Sequence, residues 1–156
     1  MRVVRTFGAA ATGLALVAAP AQADQATFVE AFNICFDNVM TVPGIRGDFF
    51  RAGWQEYNGM SPQEFEYDRN GTHVFLRDTE TYDQPGCTVM DETISIAFVN
   101  KVLVTALDAD SLDWRKGSAT GGSEMWRALT DLGTVYISYD EDTSGEGGAI
   151  SFELHL

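Results

Sequence analysis

The segment FEYDRNGTHVFLR, residues 65–77, decides the fold class of this 156-residue chain. Residues 65–68 alternate between aromatic and acidic side chains, as in a strand that buries one face. Asn70 and Gly71 come next, and both tolerate the positive φ angles of a two-residue hairpin turn. Residues 72–77 then return as a second strand. The segment therefore predicts an antiparallel β-hairpin.

Further strands are predicted on the C-terminal side of this hairpin. Residues 87–90 follow the turn sequence Gln84-Pro85-Gly86 and are rich in β-prone side chains. In the last third of the chain, strand character returns at residues 124–129, 134–139 and 149–156, with residues 112–115 a candidate for one more short strand.

The segment 26–40 predicts an amphipathic helix, because its apolar side chains recur at helical spacing. These apolar residues are Phe28, Phe32, Cys35, Phe36 and Val39. Asp24 is expected to cap the helix, and Pro43-Gly44 is expected to end it. Residues 45–57 are predicted to form a short second helix, which the Gly53-Trp54 step weakens near its end.

The longest predicted helix covers residues 91–107, with Asp91 as its N-cap and Glu92 in its first turn. Past that turn, only Asn100 and Lys101 are strongly polar. A helix this apolar is expected to be nearly buried against one face of a sheet.

Together these elements predict an α+β fold in the order α-β-β-β-α-β-β-β, with two main helices packed on one face of an antiparallel sheet. Each half runs from a helix into about three strands, and each contains a tryptophan, Trp54 or Trp126. The two halves share no residue-level repeat. We expect residues 24–156 to form a single domain.

Residues 1–23 have the layout of a secretory signal peptide of the Sec type. Arg2 and Arg5 precede an apolar run at residues 7–19, and Ala21-Gln22-Ala23 follows as an A-x-A cleavage site. The apolar run is too short for a bilayer core, which needs about 20 helical residues. Cleavage between Ala23 and Asp24 would therefore deliver a soluble protein to a bacterial periplasm or outside the cell.

The exported chain is strongly acidic. The leader holds two of the ten basic residues and none of the 23 acidic ones, which leaves a formal charge of −15. Such a charge disfavours nucleic acid and anionic membranes as partners. A basic protein, a metal cation or a neutral ligand stays open as a partner, with a basic protein surface favoured, and the commoner role of such a charge is to keep a secreted protein soluble.

The two cysteines, Cys35 and Cys87, are predicted to form a disulfide, because an even count in an oxidising compartment indicates a bridge. In the loop-entropy model a closure of this length stabilises the fold by up to about 4 kcal/mol. A redox-active pair would be expected in one Cys-x-x-Cys turn, which this chain lacks.

The histidines predict no catalytic site. His73 and His155 are the only two in the chain, and both fall in predicted strands without a Gly-x-Ser-x-Gly elbow anywhere in the sequence. Zinc requires several histidine or thiolate ligands, and the thiols are committed to the bridge. Glycoside hydrolysis by paired carboxylates requires a buried acid facing another across a cleft. Most acids here fall in turns or on polar faces.

The acidic segment 140–146 resembles the opening of an EF-hand calcium loop. Asp140, Asp142 and Ser144 would place oxygen atoms at loop positions 1, 3 and 5, with glycine at position 6 and Glu146 after it. Position 12 is Ser151, where a bidentate glutamate is expected, and the flanking segments are strands. A glycine-rich hairpin loop is the preferred interpretation, and a calcium site is the alternative.

Four features of the chain resemble small exported proteins of unknown function from alphaproteobacteria. These are Cys35 on the first helix, the Gly53-Trp54 step, Cys87 at the start of a Cys-Thr-Val strand, and a late segment around Trp126. The resemblance implies a periplasmic location and a bridged α+β fold, and it implies no active-site residues.

We expect a non-enzymatic periplasmic or secreted domain, without a cofactor, that binds a protein partner with a basic surface. An inhibitor of a cationic cell-wall hydrolase is one concrete form of this hypothesis. Two alternatives stay open: a small carboxylate-dependent hydrolase and a calcium-stabilised module. A tryptophan exposed to solvent would favour the binding hypothesis.

Overall fold

The computed structural model describes residues 20–38, 42–59, 64–77, 84–118, 124–141 and 147–155. The helices are α1 (Pro20–Asn38), α2 (Val42–Arg51) and α3 (Ile96–Ala109). The strands are β1 (Gln55–Asn58), β2 (Glu64–Arg69), β3 (Thr72–Arg77), β4 (Gly86–Asp91), β5 (Arg115–Ser118), β6 (Glu124–Leu129), β7 (Thr134–Glu141) and β8 (Gly148–His155).

The eight strands form one antiparallel sheet in the order β1-β2-β3-β4-β8-β7-β6-β5. The predicted α+β class with an antiparallel sheet is therefore confirmed. The six predicted strands are all present, and β1 and β5 extend the sheet at its two edges. The candidate strand at residues 112–115 overlaps β5 only at Arg115.

Helices α1 and α3 lie on the same face of the sheet and share one core. Helix α1 packs on β3 and β4, α3 packs on β7 and β8, and α2 packs on α1. The rings of Phe28 in α1 and Phe98 in α3 meet edge to face at 6.3 Å. Alternate residues of the central strands complete the core: Tyr67, Val74, Leu76, Cys87, Val89, Val135, Ile137, Ile150, Phe152 and Leu154. The two predicted main helices thus cover one face of the sheet.

The hairpin between β2 and β3 turns at Asn70 and Gly71, as predicted. Their φ angles are 52° and 85°, in the left-handed region. Strands β2 and β3 pair from Arg69 and Thr72 outward. The two-residue turn therefore sets the register of the whole pair.

Helix α2 ends earlier than the predicted helix 45–57, and the Gly53-Trp54 step is its C-cap. The amides of Gly53 and Trp54 donate to the carbonyls of Phe50 and Phe49 at 3.1 and 3.0 Å. Gly53 has φ 79°, and the Phe49 and Trp54 rings meet at 5.3 Å. These bonds and this contact form a Schellman motif. The chain can therefore leave the helix and enter β1, which contains Tyr57.

Helix α3 starts later than predicted, because Asp91 belongs to β4. Asp91 pairs in register with Thr72 and Gly148, so the sheet continues through it. Its buried carboxylate accepts hydrogen bonds from the Thr72 hydroxyl at 2.8 Å and from the Thr93 amide at 2.8 Å. The N-cap is Ser95, whose Oγ accepts from the Phe98 amide at 3.3 Å. The prediction of Asp91 as N-cap was wrong.

Helix α3 is also less buried than its composition predicts. Val99, Leu103 and Leu107 face the core, but Val104 on the opposite side is 38% exposed. Helix α1 begins at Pro20, so Asp24 lies inside the helix rather than at its start. The predicted cleavage point after Ala23 falls in the first turns of α1, and residues 1–19 of the leader lie outside the described residues.

The disulfide joins Cys35 of α1 to Cys87 of β4, with a Cα–Cα distance of 5.9 Å. Both residues are buried in the core. The predicted bridge is present, and it fastens the first helix to the middle of the sheet. Such bonds persist in oxidising compartments.

The two halves of the chain have the same strand topology. Each half is a four-stranded meander preceded by helix, and the halves meet where β4 pairs with β8. The β6–β7 hairpin also has a two-residue turn, since the Thr130 amide donates to the Gly133 carbonyl at 2.8 Å. Residues 61 positions apart, such as Asn70 and Asp131, therefore occupy equivalent places in the two hairpins.

Candidate functional site

In the described part of the chain the helices lie on one face of the sheet, and we call the other the outer face. Along each central strand, buried residues alternate with half-buried or exposed ones that point away from the helices. The strand register aligns these side chains in rows across the sheet. Their members are Glu64, Glu66, Asp68, His73, Phe75, Arg77, Thr88, Met90, Met125, Arg127, Leu129, Thr134, Tyr136, Ser138, Ala149, Ser151, Glu153 and His155.

One pocket of the outer face, of about 270 Å³, lies over β1, β2 and β3. We call it the acidic pocket, and its outward side chains are Tyr57, Glu66, Asp68, His73 and Phe75. Tyr57 and Phe75 pair in register with Glu66 on its two sides. These two aromatic residues are 46% and 40% exposed, and with Glu66 between them they form one row on the outer face.

The acidic pocket has the chemistry of a site for a basic side chain. The Glu66 carboxylate can form a charge-assisted hydrogen bond with a lysine or arginine. The flanking rings of Tyr57 and Phe75 can hold the same cation against their faces. Asp68 adds a second carboxylate, which lies 3.1 Å from Nδ1 of His73.

A second pocket, of about 390 Å³, lies over β5, β6 and β7. We call it the arginine pocket, and Arg115, Arg127, Leu129 and Tyr136 line it. Arg115 and Arg127 are directly opposite each other in register, and both are exposed. The Arg115 guanidinium donates to Oδ2 of Asp113 at 2.8 and 3.1 Å, and these bonds raise its pKa.

An ion pair lies between the two pockets. Nη2 of Arg77 on β3 is 2.7 Å from Oε1 of Glu153 on β8, and Gly86 of β4 lies between them in register. Burial is the largest influence on Glu153 and opposes its ionisation, but the hydrogen bond and charge of Arg77, together with His155, keep the pKa of this carboxyl below its usual range. An ion pair therefore links β3 to β8 across the centre of the outer face.

A second network lies on the helix side of β1 and β2 and supports the acidic pocket from below. Tyr67 donates to Glu56 at 2.7 Å, and Arg46 donates to the same carboxylate at 2.9 Å. Burial, followed by the bond to Glu56, raises the pKa of the Tyr67 hydroxyl. Burial opposes ionisation of Glu56, yet its partners keep its pKa low. The three side chains are therefore hydrogen-bonded to one another, and through Glu56 they position β1.

Trp54 is buried rather than exposed. Its Nε1 donates to Glu30 at 3.0 Å, and the same carboxylate oxygen accepts from Arg69 at 2.8 Å. Trp126 is half-buried and packs against the core on the helix side of β6. Neither tryptophan supplies the exposed contact surface that would favour the binding hypothesis. The exposed aromatic residues of the described ranges are Phe50 on α2 and Tyr57 and Phe75 on the sheet, and the last two lie on the outer face.

The sequence-predicted site residues do not come together. His73 and His155 both lie on the outer face but on separate strands, and His155 stacks near Tyr136 at 4.5 Å. Among the described residues, no group of three histidine, cysteine, aspartate or glutamate side chains could hold a metal ion. Asp91, the buried acid of the described ranges, hydrogen-bonds Thr72 and Thr93 and lines neither the acidic pocket nor the arginine pocket.

The proposed calcium loop lies almost entirely outside the described residues. Asp142, Ser144 and Glu146 are not described, and Asp140 is described only as part of the backbone of β7. None of the helices in the described ranges is both long and apolar enough to span a lipid bilayer.

Sequence reasoning missed most of the residues of both pockets. Tyr57 falls within the predicted helix 45–57, and Phe75 falls within the predicted strand 72–77 without any feature that distinguishes it. One signal was available, because Phe75 lies between His73 and Arg77 on the polar side of β3. A single exposed apolar residue is normal on a surface, so this signal indicates a contact surface only together with Tyr57 in the same row.

Comparison with known proteins leaves the fold and the geometry as the only guides to function: no family model, curated protein or solved structure matches this chain.

Proposed function

We propose that this chain is an exported, non-enzymatic domain that binds a basic protein through the outer face of its sheet. The observation that carries the proposal is the row Tyr57–Glu66–Phe75, in which a carboxylate lies between two exposed aromatic rings on neighbouring strands. A lysine or arginine of the partner would enter the acidic pocket and meet all three side chains.

The charge of the chain supports a basic partner. The formal net charge is −13 for the full sequence, and three carboxylates point outward along β2 alone, from Glu64, Glu66 and Asp68. An acidic surface speeds encounter with a basic protein and excludes acidic ones. Export is supported by the leader pattern at residues 1–23 and by the disulfide, which fits an oxidising compartment.

An inhibitor of a cationic cell-wall hydrolase is the concrete form of this function. Such enzymes act in the compartment to which the leader would deliver the chain. A sheet face that carries an acidic pocket could bind the basic surface of such an enzyme. The proposal requires no nucleophile, base or metal in this chain.

A titration with a hexalysine peptide tests the acidic pocket, with isothermal calorimetry as the readout. We expect wild-type protein to bind, and E66Q to bind up to about fivefold more weakly, as for loss of a half-exposed ion pair. F75A should weaken binding without any change in net charge, because the cation loses a ring face.

The control is E92Q, which removes one carboxylate from an exposed turn outside the outer face. If E92Q weakens binding as much as E66Q does, the peptide is responding to net charge and the pocket proposal is wrong. The inhibitor form is tested by adding the protein to a cationic muramidase acting on peptidoglycan. Unchanged lysis at a large excess of the protein would rule that form out.

A further inference from the structure

The two pockets of the outer face occupy equivalent positions in the two halves but have opposite charge. Glu66 and Arg127 are 61 positions apart, as are Phe75 and Tyr136, and each pair is equivalent in the hairpin register. Where the first half places a carboxylate beside an aromatic ring, the second half places a guanidinium beside one. The face is therefore acidic at one end and basic at the other.

The charged strands are symmetrically placed about the middle of the sheet. β2 and β6 each lie two strands away from the central pair β4 and β8. At about 4.8 Å per strand spacing, the two charged strands are about 24 Å apart. A binding partner that matches both ends must carry opposite charges at that separation.

A second copy of this chain meets the requirement. Rotation by half a turn about an axis parallel to β4 and β8, lying between the two sheets, lays one outer face on the other. This rotation brings β6 of each copy over β2 of the other, so the same contact forms at both ends of the interface. Arg127 of one copy then lies in the row of Glu64 of the other copy and one row away from its Glu66. A half turn about an axis perpendicular to the strands would instead place β2 of one copy over β2 of the other, so that carboxylates would face carboxylates.

We propose that the chain forms a face-to-face homodimer through the outer face, in which the arginine pocket of each copy receives the carboxylate stripe of β2 from the other. This stripe consists of Glu64, Glu66 and Asp68. Like charges directly opposite each other on neighbouring strands are unfavourable. The opposed Arg115 and Arg127 are relieved by this contact, because only Arg115 has an ion-pair partner among the described residues.

The size of the face is sufficient for such a contact. Eight strands at about 4.8 Å and six residues at about 3.3 Å give a face of roughly 700 Å². Standard stable interfaces bury about 600–1,000 Å² per partner, and the face falls within that range. Two sheets packed in this way have aligned strands, the usual arrangement of a β-sandwich.

The dimer uses the same face as the proposed binding of a basic protein but does not depend on that function. The two occupants would compete, and a basic protein would have to separate the copies in order to reach the acidic pocket. The two proposals fail separately. A monomer that binds hexalysine contradicts only the dimer, and a dimer that never binds hexalysine contradicts only the function.

Sedimentation equilibrium tests the dimer by comparing the purified wild-type chain with variants in which charges of the outer face are swapped. Wild-type protein should show a reversible monomer–dimer equilibrium. E64R and R127E should each raise the dimer dissociation constant by about tenfold or more, because like charges then face each other. The double variant E64R/R127E should restore dimerisation, since the residues that share a row across the axis again carry opposite charges.

Two charge reversals on the solvent side of α3 are the matched controls. Asp108 and Lys101 are exposed there, and D108R and K101E should leave the dimer unchanged. Circular dichroism confirms that each variant is folded, which exposed positions permit. The proposal is overturned if wild type is monomeric at all concentrations, if the controls weaken the dimer as much as the outer-face variants do, or if the double variant is no better than the single ones.

Discussion

Arg77 and Glu153 form an ion pair across Gly86, with Nη2 and Oε1 2.7 Å apart. It is the ion pair that joins the two halves of the sheet, since the other pairs among the described residues lie within one half. A Cβ atom on Gly86 would lie 2.8 Å from Arg77 Nη2 and 2.9 Å from the Phe152 carbonyl. The glycine therefore makes room for the bridge.

Replacing Glu153 should make stability less dependent on pH in the acidic range. The folded pKa of Glu153 is depressed, so its contribution is fully present above the unfolded value of about 4.3 and is lost as pH falls through the folded value. E153Q should cost about 0.5–1 kcal/mol at neutral pH, the range for a half-exposed pair, and almost nothing near pH 2.

Urea unfolding of wild type and E153Q at several pH values measures this difference. E92Q, on an exposed turn, is the control and should follow the wild-type curve. If the difference in unfolding free energy between wild type and E153Q stays constant from neutral to strongly acid pH, the pairing of Glu153 with Arg77 is contradicted.

Gly53→Ala should destabilise the protein by about 1 kcal/mol, because Gly53 caps α2 with φ 79°. Nothing lies within 4 Å of a Cβ placed there, so the cost is conformational and not steric. Thermal unfolding gives the difference. The control is Gly117→Ala, whose Cβ would lie 4.0 Å from the Met125 carbonyl and should have little effect.

Removal of the disulfide should lower the free energy of unfolding by up to about 4 kcal/mol, the entropy of a loop of this length. We use the double variant C35A/C87A for this measurement instead of adding a reductant, because both cysteines are buried and the native bridge is protected from reductant. Mass spectrometry of native protein should show no free thiol. Two free thiols would contradict both the bridge and the oxidising compartment.

The exported protein should begin at Asp24. N-terminal sequencing of protein from the periplasmic fraction of a bacterial host should therefore read Asp-Gln-Ala-Thr. Ala23→Phe should block processing, since the enzyme accepts only small residues at that position. Gln22→Phe is the matched control, because the middle position of the A-x-A site is free. Normal processing of Ala23→Phe would contradict the assigned site.

The local elements could be predicted wherever a local sequence signal met no competing tertiary contact. Asn70-Gly71 fixed a hairpin, and the apolar stripe of α1 placed Phe28, Phe32 and Cys35 in the core. Tertiary context decided the others. Asp91 has the side chain of a helix cap, but pairing with Thr72 keeps it in the sheet. A capping preference of about 1 kcal/mol does not outweigh a buried hydrogen-bonded strand.

The site was harder to predict than the fold, because it depends on which strands are neighbours. Tyr57, Glu66 and Phe75 are 9 positions apart in sequence and carry no motif. They form one row only after β1, β2 and β3 pair in register. The order of the strands, with β8 beside β4, likewise has no local signal, yet it places the acidic and basic ends on one face.

The meander topology has a kinetic consequence. Every strand pair except one joins neighbours in the chain, so contact order is low within each half. The exception is β4 with β8, where the partners Val89 and Ile150 are 61 positions apart. Closure of that long loop should limit the rate of refolding. In stopped-flow experiments, Ile150→Val should therefore slow folding more than Val74→Ala does, relative to the stability that each one loses.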